Sequence, residues 1–372
     1  MIEIDWFLPT GGDSRDVLPG SGGAHRRRPD HAYLAQVAQA CDQLGFEAVL
    51  TPCGTGCEDA WVATASLLPL TRHLKFLVAF RPTLLTPTLA AQMASTYQRM
   101  SGGRLLINIV TGAEPAELAR FGVYDDKATR YERTGEFIEI MRAAWSGEPA
   151  DHAGTHYRVE GATTREPPDP TPPIYFGGAS AEAEQVAAEG VDVYLAWGET
   201  PAMVTERLDR IRALAAVAGR TLRFGIRFHV ITRPTSQAAW AAADELLAGI
   251  SAEARAAAAA DFAATQSEGQ RRQAGLAAAA ADAGGRMEIH PNVWAGIGLV
   301  RGGVGTALVG SYQEVADRIV EYHELGFDAF VLSGYPHLEE AYWFGEGVMP
   351  LLRASGHLPG LPTSEAPVFS FR

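Results

Sequence analysis

Eight short apolar runs, each followed by a stretch of helical periodicity, constrain this chain more than any other feature of it. The runs fall at 4–10, 48–52, 75–80, 104–110, 173–178, 191–197, 223–232 and 329–334. Several are almost unbroken, as in Phe76, Leu77, Val78, Ala79 and Phe80, which suits strands covered on both faces of a parallel sheet. Helical patterns occupy 30–44, 58–68, 87–100, 131–145, 181–189, 201–218 and 312–325. The first ends at Gly45, suited to a left-handed helix stop, and the second at Pro69. Such β-then-α alternation predicts an α/β fold, a (β/α)8 barrel. An open dinucleotide-binding sheet would want a glycine fingerprint after an early strand. The nearest stretch, GIGLVR at 296–301, comes late and has Arg301 where the third glycine belongs.

One barrel domain is expected over 1–353, with a tail at 354–372 and two insertions. The first, at about 147–172, is rich in Pro, Gly and charge; the second, at about 236–290, is polar and carries alanine runs at 256–260 and 277–281. Alanine favours helix but buries little area. The second insertion should therefore be helical, exposed and loosely held, either a decoration or a mobile cover.

A formal net charge of −13 argues against general nucleic-acid binding, which needs a basic field. It leaves room for a locally positive site for an anionic small molecule. No apolar stretch reaches the length of a membrane span, and carboxylates at Glu3 and Asp5 stand where a secretory leader would be basic. Three cysteines, Cys41, Cys53 and Cys57, do not make a disulfide framework. The expectation is a cytoplasmic protein.

Barrel enzymes build their sites at the C-terminal ends of the strands. In this chain those ends supply Thr10 and Gly11, Cys53 to Asp59, Arg81, Asn108 to Gly112, and the turn Gly177, Gly178, Ala179, Ser180. They continue with Trp197, with Arg227 and His229 two apart on the seventh strand, and with Tyr335 and His337 after the eighth. Alternate strand residues face the same side, so Arg227 and His229 can share a site. Neither a metal-ligand cluster nor an opposed carboxylate pair appears, Glu199 being the one obvious acid, so no metal is expected. The rim suits anions. The Gly177–Ser180 turn opens a helix, whose N–H groups and dipole favour a phosphate, although such turns are commonly simple caps.

These stretches resemble the alkanesulfonate monooxygenases of the bacterial luciferase-like superfamily. The matching motifs are WFLPT at 6–10, CEDAW at 57–61, LKFLVAFRP at 74–82, YFGG at 175–178, FGIRFHV at 224–230, WAGIGLVRGG at 294–303 and FVLSGYPHLEEAY at 330–342. The resemblance implies a two-component monooxygenase. A separate NAD(P)H:FMN reductase would supply FMNH2, O2 would be co-substrate, and C–S cleavage of an organosulfonate would give an aldehyde and sulfite. It assigns Arg227, His229, Tyr335 and Cys57 to catalysis, and Arg301, Trp197, Gly11 and His337 to substrate binding, with Phe7 as a further pocket wall. Asn108, Arg130, Tyr131, Gly178, Ala179 and Ser180 would hold the flavin. A homo-oligomer, dimer or tetramer, is the expected assembly.

One departure concerns the substrate. The family pattern has histidine after FLPT, where this chain has Gly11, and the loop 13–31, with His25, Arg26, Arg27 and Arg28, is unlike the family's. Loss of an imidazole should open space for a bulkier sulfonate such as a sulfosugar. A non-sulfonate substrate, a deazaflavin-dependent oxidoreductase and a flavin-storage protein are the rival readings.

Overall fold

The structure, a computed structural model, describes residues 1–17 and 26–360. Part of the 13–31 loop, including His25, and most of the expected tail lie outside the described residues. The strands, in chain order, are β1 (Glu3–Phe7), β2 (Ala48–Thr51), β3 (Lys75–Phe80), β4 (Leu105–Ile109), β5 (Ala150–Ala153), β6 (Arg158–Ala162), β7 (Ile174–Phe176), β8 (Val193–Trp197), β9 (Arg223–Arg233), β10 (Glu288–His290), β11 (Val293–Trp294), β12 (Ala307–Ser311) and β13 (Ala329–Ser333). Eight of them, β1, β2, β3, β4, β7, β8, β9 and β13, pair in that order, all parallel, and β13 closes back on β1. The chain is a closed (β/α)8 barrel, as its alternation predicts.

Strand periodicity sorts the side chains. Phe7, Leu50, Leu77, Leu106, Tyr175, Val193, Leu195 and Val331 fill the barrel interior. Their strand neighbours, among them Trp6, Phe76, Phe176, Ile226 and Phe330, pack outward under the helices. Each large side chain buried in this way contributes roughly 1.5–3 kcal/mol relative to exposure. Helix ends follow the sequence. The Asp30 carboxylate caps helix His31–Leu44 by accepting from Tyr33 N, and Gly45 closes it in the left-handed region at φ 82°. The 147–172 insertion forms an antiparallel hairpin, β5 with β6.

The second insertion differs from expectation. It holds three helices, Ser236–Ala248, Ala252–Ala264 and Glu268–Asp282. The first is not exposed decoration, because Ala239, Trp240 and Ala243 are buried in an apolar cluster with Ile231 and Val309. The chain then returns through β12, a strand the apolar-run pattern misses, and β12 lies parallel beside the upper half of β9 from His229 to Arg233. The handover is visible in the hydrogen bonds. Gly198 N donates to Arg227 O at 2.8 Å, and His229 N then donates to Thr306 O at 2.9 Å. β8 ends at Trp197, and Gly198 then lies so close against β9 that a Cβ there would stand 2.1 Å from the Phe228 ring, so glycine is required at this point. β9 therefore rises above the barrel with a new partner, and its upper residues look into a deepened rim.

Candidate active site

Two regions meet at this rim. One is a cavity of about 300 Å³ bounded by the ends of β2, β3, β4, β7 and β8 and roofed by residues 266–269. The other is a cationic and aromatic cluster on β9, β13 and the loops after β1 and β13. Arg227 belongs to both.

The cavity brings together all six residues expected to hold a cofactor, Asn108, Arg130, Tyr131, Gly178, Ala179 and Ser180, along with Trp197. Leu50, Ala79, Ile109 and Leu195 give it apolar walls. Arg130 is buried. Its Nη1 donates to Asp125 O at 2.6 Å and Nη2 to Gln266 Oε1 at 2.9 Å, while Nε has no partner among the described residues. The two glycines answer to packing as much as to any ligand. A Cβ on Gly177 would sit 2.6 Å from Leu195 O, and one on Gly178 would sit 2.5 Å from the Ala183 methyl. Ser180 is the N-cap of helix Ala181–Gly190, accepting from Ala183 N at 3.4 Å. Glu182 and Glu184 already occupy that first turn. The Ser180 hydroxyl and Lys127 hold Glu182 down to about 2. Helix-end charge is thus partly met before any phosphate arrives.

Glu199 lines the same cavity but is not an available acid. Its carboxylate is 1% exposed and accepts from Arg207 Nη2 at 2.9 and 3.1 Å, Arg272 Nε at 2.7 Å and Arg272 Nη2 at 2.9 Å. Arg272 comes from the inserted helix Glu268–Asp282, so the ion triad also ties the roof to the wall. Gln273 completes the tie, donating to Gly198 O and accepting from Gly305 N, both at 2.8 Å. The sequence signal for this docking was Gln270 and Gln273, three apart on one helix face, which the alanine-rich composition masked.

In the second region the Arg227 guanidinium lies 4.6 Å over the Phe7 ring. Burial, reinforced by Arg301, pushes its pKa down to about 9. His229 accepts or donates at 2.9 Å with Ser333 Oγ and stacks on Tyr335 at 5.3 Å. Burial, then Arg301 and Arg227, hold its imidazole well below the ordinary histidine range, so His229 is neutral, and its Nε2 has no partner among the described residues. Arg301 lies 5.8 Å over the Tyr335 ring. It rides on a glycine-rich loop pinned by Gly298 N donating to Gly305 O at 2.8 Å. Arg301 and Arg227 have no carboxylate partner among the described residues. The Tyr335 hydroxyl is buried without a partner among the described residues, and burial raises its pKa. His337 packs against both Phe7 and Tyr335, at 5.4 and 5.6 Å.

Two expected residues sit differently. Cys57 does not line the cavity, whereas Cys53 does. Burial raises both thiols, Cys53 to about 11, so neither is a ready thiolate. At Gly11 the missing side chain leaves little room. A Cβ there would stand 3.0 Å from Gly56 O and 3.8 Å from Cys57 Sγ, so the glycine lets two loops approach rather than opening a pocket. Asp13, which hydrogen bonds His337, was not singled out in the sequence; only its position just past the first strand marked it. Among the described residues no group of His, Cys, Asp and Glu is arranged to hold a metal ion.

The chain is thus a closed barrel whose rim carries a roofed cavity beside a cluster of arginine, histidine and tyrosine side chains. The chain belongs to the luciferase-like monooxygenase family, whose model matches residues 2–329. Its fold is similar to solved structures of that kind at low identity. Riboflavin lyase with modified FMN and riboflavin is 21% identical with a TM-score of 0.81, covering 97% of this chain and 94% of that one. EDTA monooxygenase from Chelativorans sp. BNC1 is 18% identical with a TM-score of 0.74, covering 96% and 95%. The oxygenating constituent of 3,6-diketocamphane monooxygenase from Pseudomonas putida, in complex with FMN, is 17% identical with a TM-score of 0.68, covering 94% and 98%.

Proposed function

We propose that the protein is a two-component monooxygenase that takes FMNH2 from a separate NAD(P)H:FMN reductase and uses O2 to split the C–S bond of an organosulfonate, releasing an aldehyde and sulfite. The observation that carries this reading is the pair Arg227 and Arg301, neither with a carboxylate partner among the described residues, placed directly beside a roofed cavity. Two such guanidiniums call for an anion with several oxygens, and a planar fork matches sulfonate geometry. The cavity residues fit a flavin. Arg130 presents a buried Nε with no partner among the described residues, Gly178, Ala179 and Ser180 line the cavity, and Leu50, Ala79, Ile109 and Leu195 offer apolar walls. When bound, the flavin supplies the oxygen-activating chemistry, which is the cofactor's own.

The chain's residues have distinct tasks in this reading. Arg227 and Arg301 bind and orient the sulfonate, and neutral His229 offers Nε2 as a proton acceptor. Tyr335 is kept as the phenol and can donate. Trp197 and the 266–269 roof exclude water. FMN-containing neighbours and an EDTA monooxygenase, named for an anionic substrate, support the same reading. A bulkier sulfosugar is the alternative substrate, although Gly11, where a Cβ would stand 3.0 Å from the Gly56 carbonyl, does not by itself supply the room for one.

The test is a sulfite-release assay over a panel of sulfonates with a flavin reductase, NADH, FMN and O2. Sulfite should appear only with reduced flavin and oxygen together. Release with oxidised FMN alone, or none from any sulfonate, would overturn the proposal.

A further inference from the structure

Residues 265–269 carry the chain from helix Ala252–Ala264 into helix Glu268–Asp282, and the strip is fastened on both sides of the cavity. On the β4 side the Thr265 hydroxyl donates to Glu114 Oε1 at 2.5 Å, and Gln266 N donates to Ala113 O at 3.3 Å. On the β8 side Gly269 lies so close to Trp197 that a Cβ would stand 3.1 Å from its ring. Between these points a single side chain ties the strip to the cavity wall. Gln266 Oε1 accepts from Arg130 Nη2 at 2.9 Å. A guanidinium only donates, so the carboxamide has one possible orientation, with its oxygen on Arg130 and its NH2 turned away. Among the described residues no acceptor takes up that NH2, and Gln266 lines the cavity.

Arg130 indicates what kind of acceptor belongs there. It is 3% exposed and sits in the first turn of helix Lys127–Ala144. Neutral oxygens alone hold its Nη atoms: Asp125 O at 2.6 Å, Gly112 O at 3.5 Å and Gln266 Oε1. Its Nε has no partner and it forms no ion pair among the described residues. The other cation of this helix turn is engaged, Lys127 with Glu182 at 3.1 Å. The acids that line the cavity are engaged as well, Glu199 with Arg207 and Arg272, and Glu268 with Arg271 at 2.9 Å. A buried guanidinium without a counter-charge is costly until an anion joins it. The anionic group of a flavin mononucleotide is its phosphate, and Gly178, Ala179 and Ser180, at the start of a helix, line the same cavity.

We propose that Gln266 is a further cofactor-binding residue, its carboxamide turned by Arg130 so that Nε2 donates to the phosphate of the bound flavin. The inserted segment is then part of the phosphate site and not merely a cover over it. A flavin without phosphate leaves the Gln266 NH2 with water alone, so the strip distinguishes the mononucleotide from riboflavin. This rests on the reading of the cavity as a flavin site, but its test needs neither oxygen nor turnover.

The experiment is titration of the parent, Gln266→Leu and Gln266→Glu with oxidised FMN and with riboflavin, followed by flavin fluorescence. The parent should bind FMN more tightly than riboflavin. Gln266→Leu should weaken FMN by at least about tenfold, the usual loss of a hydrogen bond to a charged group, and leave riboflavin binding unchanged. Gln266→Glu keeps an acceptor for Arg130 but sets a negative charge against the phosphate, and should weaken FMN further while again sparing riboflavin. Riboflavin binding and the melting temperature together control for the fold. Parent-like FMN binding by Gln266→Leu, or FMN and riboflavin weakened in the same proportion, overturns the proposal, the second result placing Gln266 on the ring or in a purely structural role. A parent that binds no FMN removes the flavin reading together with this one. Failure of the sulfite assay with the expected binding pattern removes the desulfonation reading alone.

Discussion

Single residues in this barrel are tuned by what lies a few ångströms away rather than by their own type. Arg301 and Arg227 both matter for the planar fork, so Arg301→Lys should cost at least about tenfold in kcat/KM, about 1.4 kcal/mol, and leave FMNH2 affinity unchanged. Parent-like steady-state kinetics of that variant would remove bidentate recognition. Glu199→Gln should behave as a stability lesion, since it leaves Arg207 buried, and Arg272 half-buried, against a neutral amide. About 3–5 kcal/mol is the usual loss on breaking such a buried pair, and denaturant unfolding reads it directly. Asp5 gives the pH-dependent case. It faces the barrel floor with neither side-chain oxygen hydrogen bonded among the described residues, and burial, then Glu3 and Glu47, raise its pKa well above the ordinary value. The folded state keeps the proton that the unfolded chain loses above about pH 3.9, so the stability this group contributes falls as pH rises toward its folded pKa. Asp5→Asn should therefore gain in melting temperature relative to the parent as pH goes from 4 to 8. An unchanging difference between the two would show Asp5 ionised in the fold.

At the scale of elements, the inserted helices divide into wall and roof. Helix Ser236–Ala248 is apolar wall, whereas helix Glu268–Asp282 buries only the small Ala277 and Ala280 in that cluster and adds polar ties, Arg272 on Glu199 and Gln273 between Gly198 and Gly305. Polar docking of this kind can release and re-form at modest cost, which is what a cover over a water-sensitive reaction needs. We expect limited proteolysis to cut near the alanine runs in the apo protein, and more slowly once reduced FMN and substrate are bound. Gln273→Ala should speed the cut and lower stability by about 1–3 kcal/mol, the cost of stranding buried backbone groups. Equal rates with and without ligands would leave the segment as fixed wall.

For the whole molecule, an acidic exterior surrounds a buried cationic cluster. The net charge of −13 repels an anionic substrate at long range, while Arg227 and Arg301 attract it only at contact. Raising ionic strength from about 0.01 to 0.15 M shortens the screening length from about 30 to 8 Å. kcat/KM for a sulfonate should then rise modestly; a fall would mean that the local cations dominate the approach.

The sequence by itself determined the barrel, because strand and helix periodicity are local and eight repeats leave few topologies. It also determined most of the rim. Asn108, Trp197, Arg227 and His229 were legible as site residues since parity along a strand fixes which side chains face inward. What the tertiary structure decided are the pairings between residues far apart in the chain. Asp13 meets His337 across 324 residues, and Glu199 meets Arg272 across 73. β12 takes over from β8 beside β9 just past Gly198, whose backbone lies against the Phe228 ring with no room for a Cβ. Gly11 looked like an opened pocket in the sequence and is a close approach to Gly56 in the fold. Each of these depends on distance through space, which no pattern of neighbouring residues encodes, and together they set which groups at the rim are charged, neutral or already engaged.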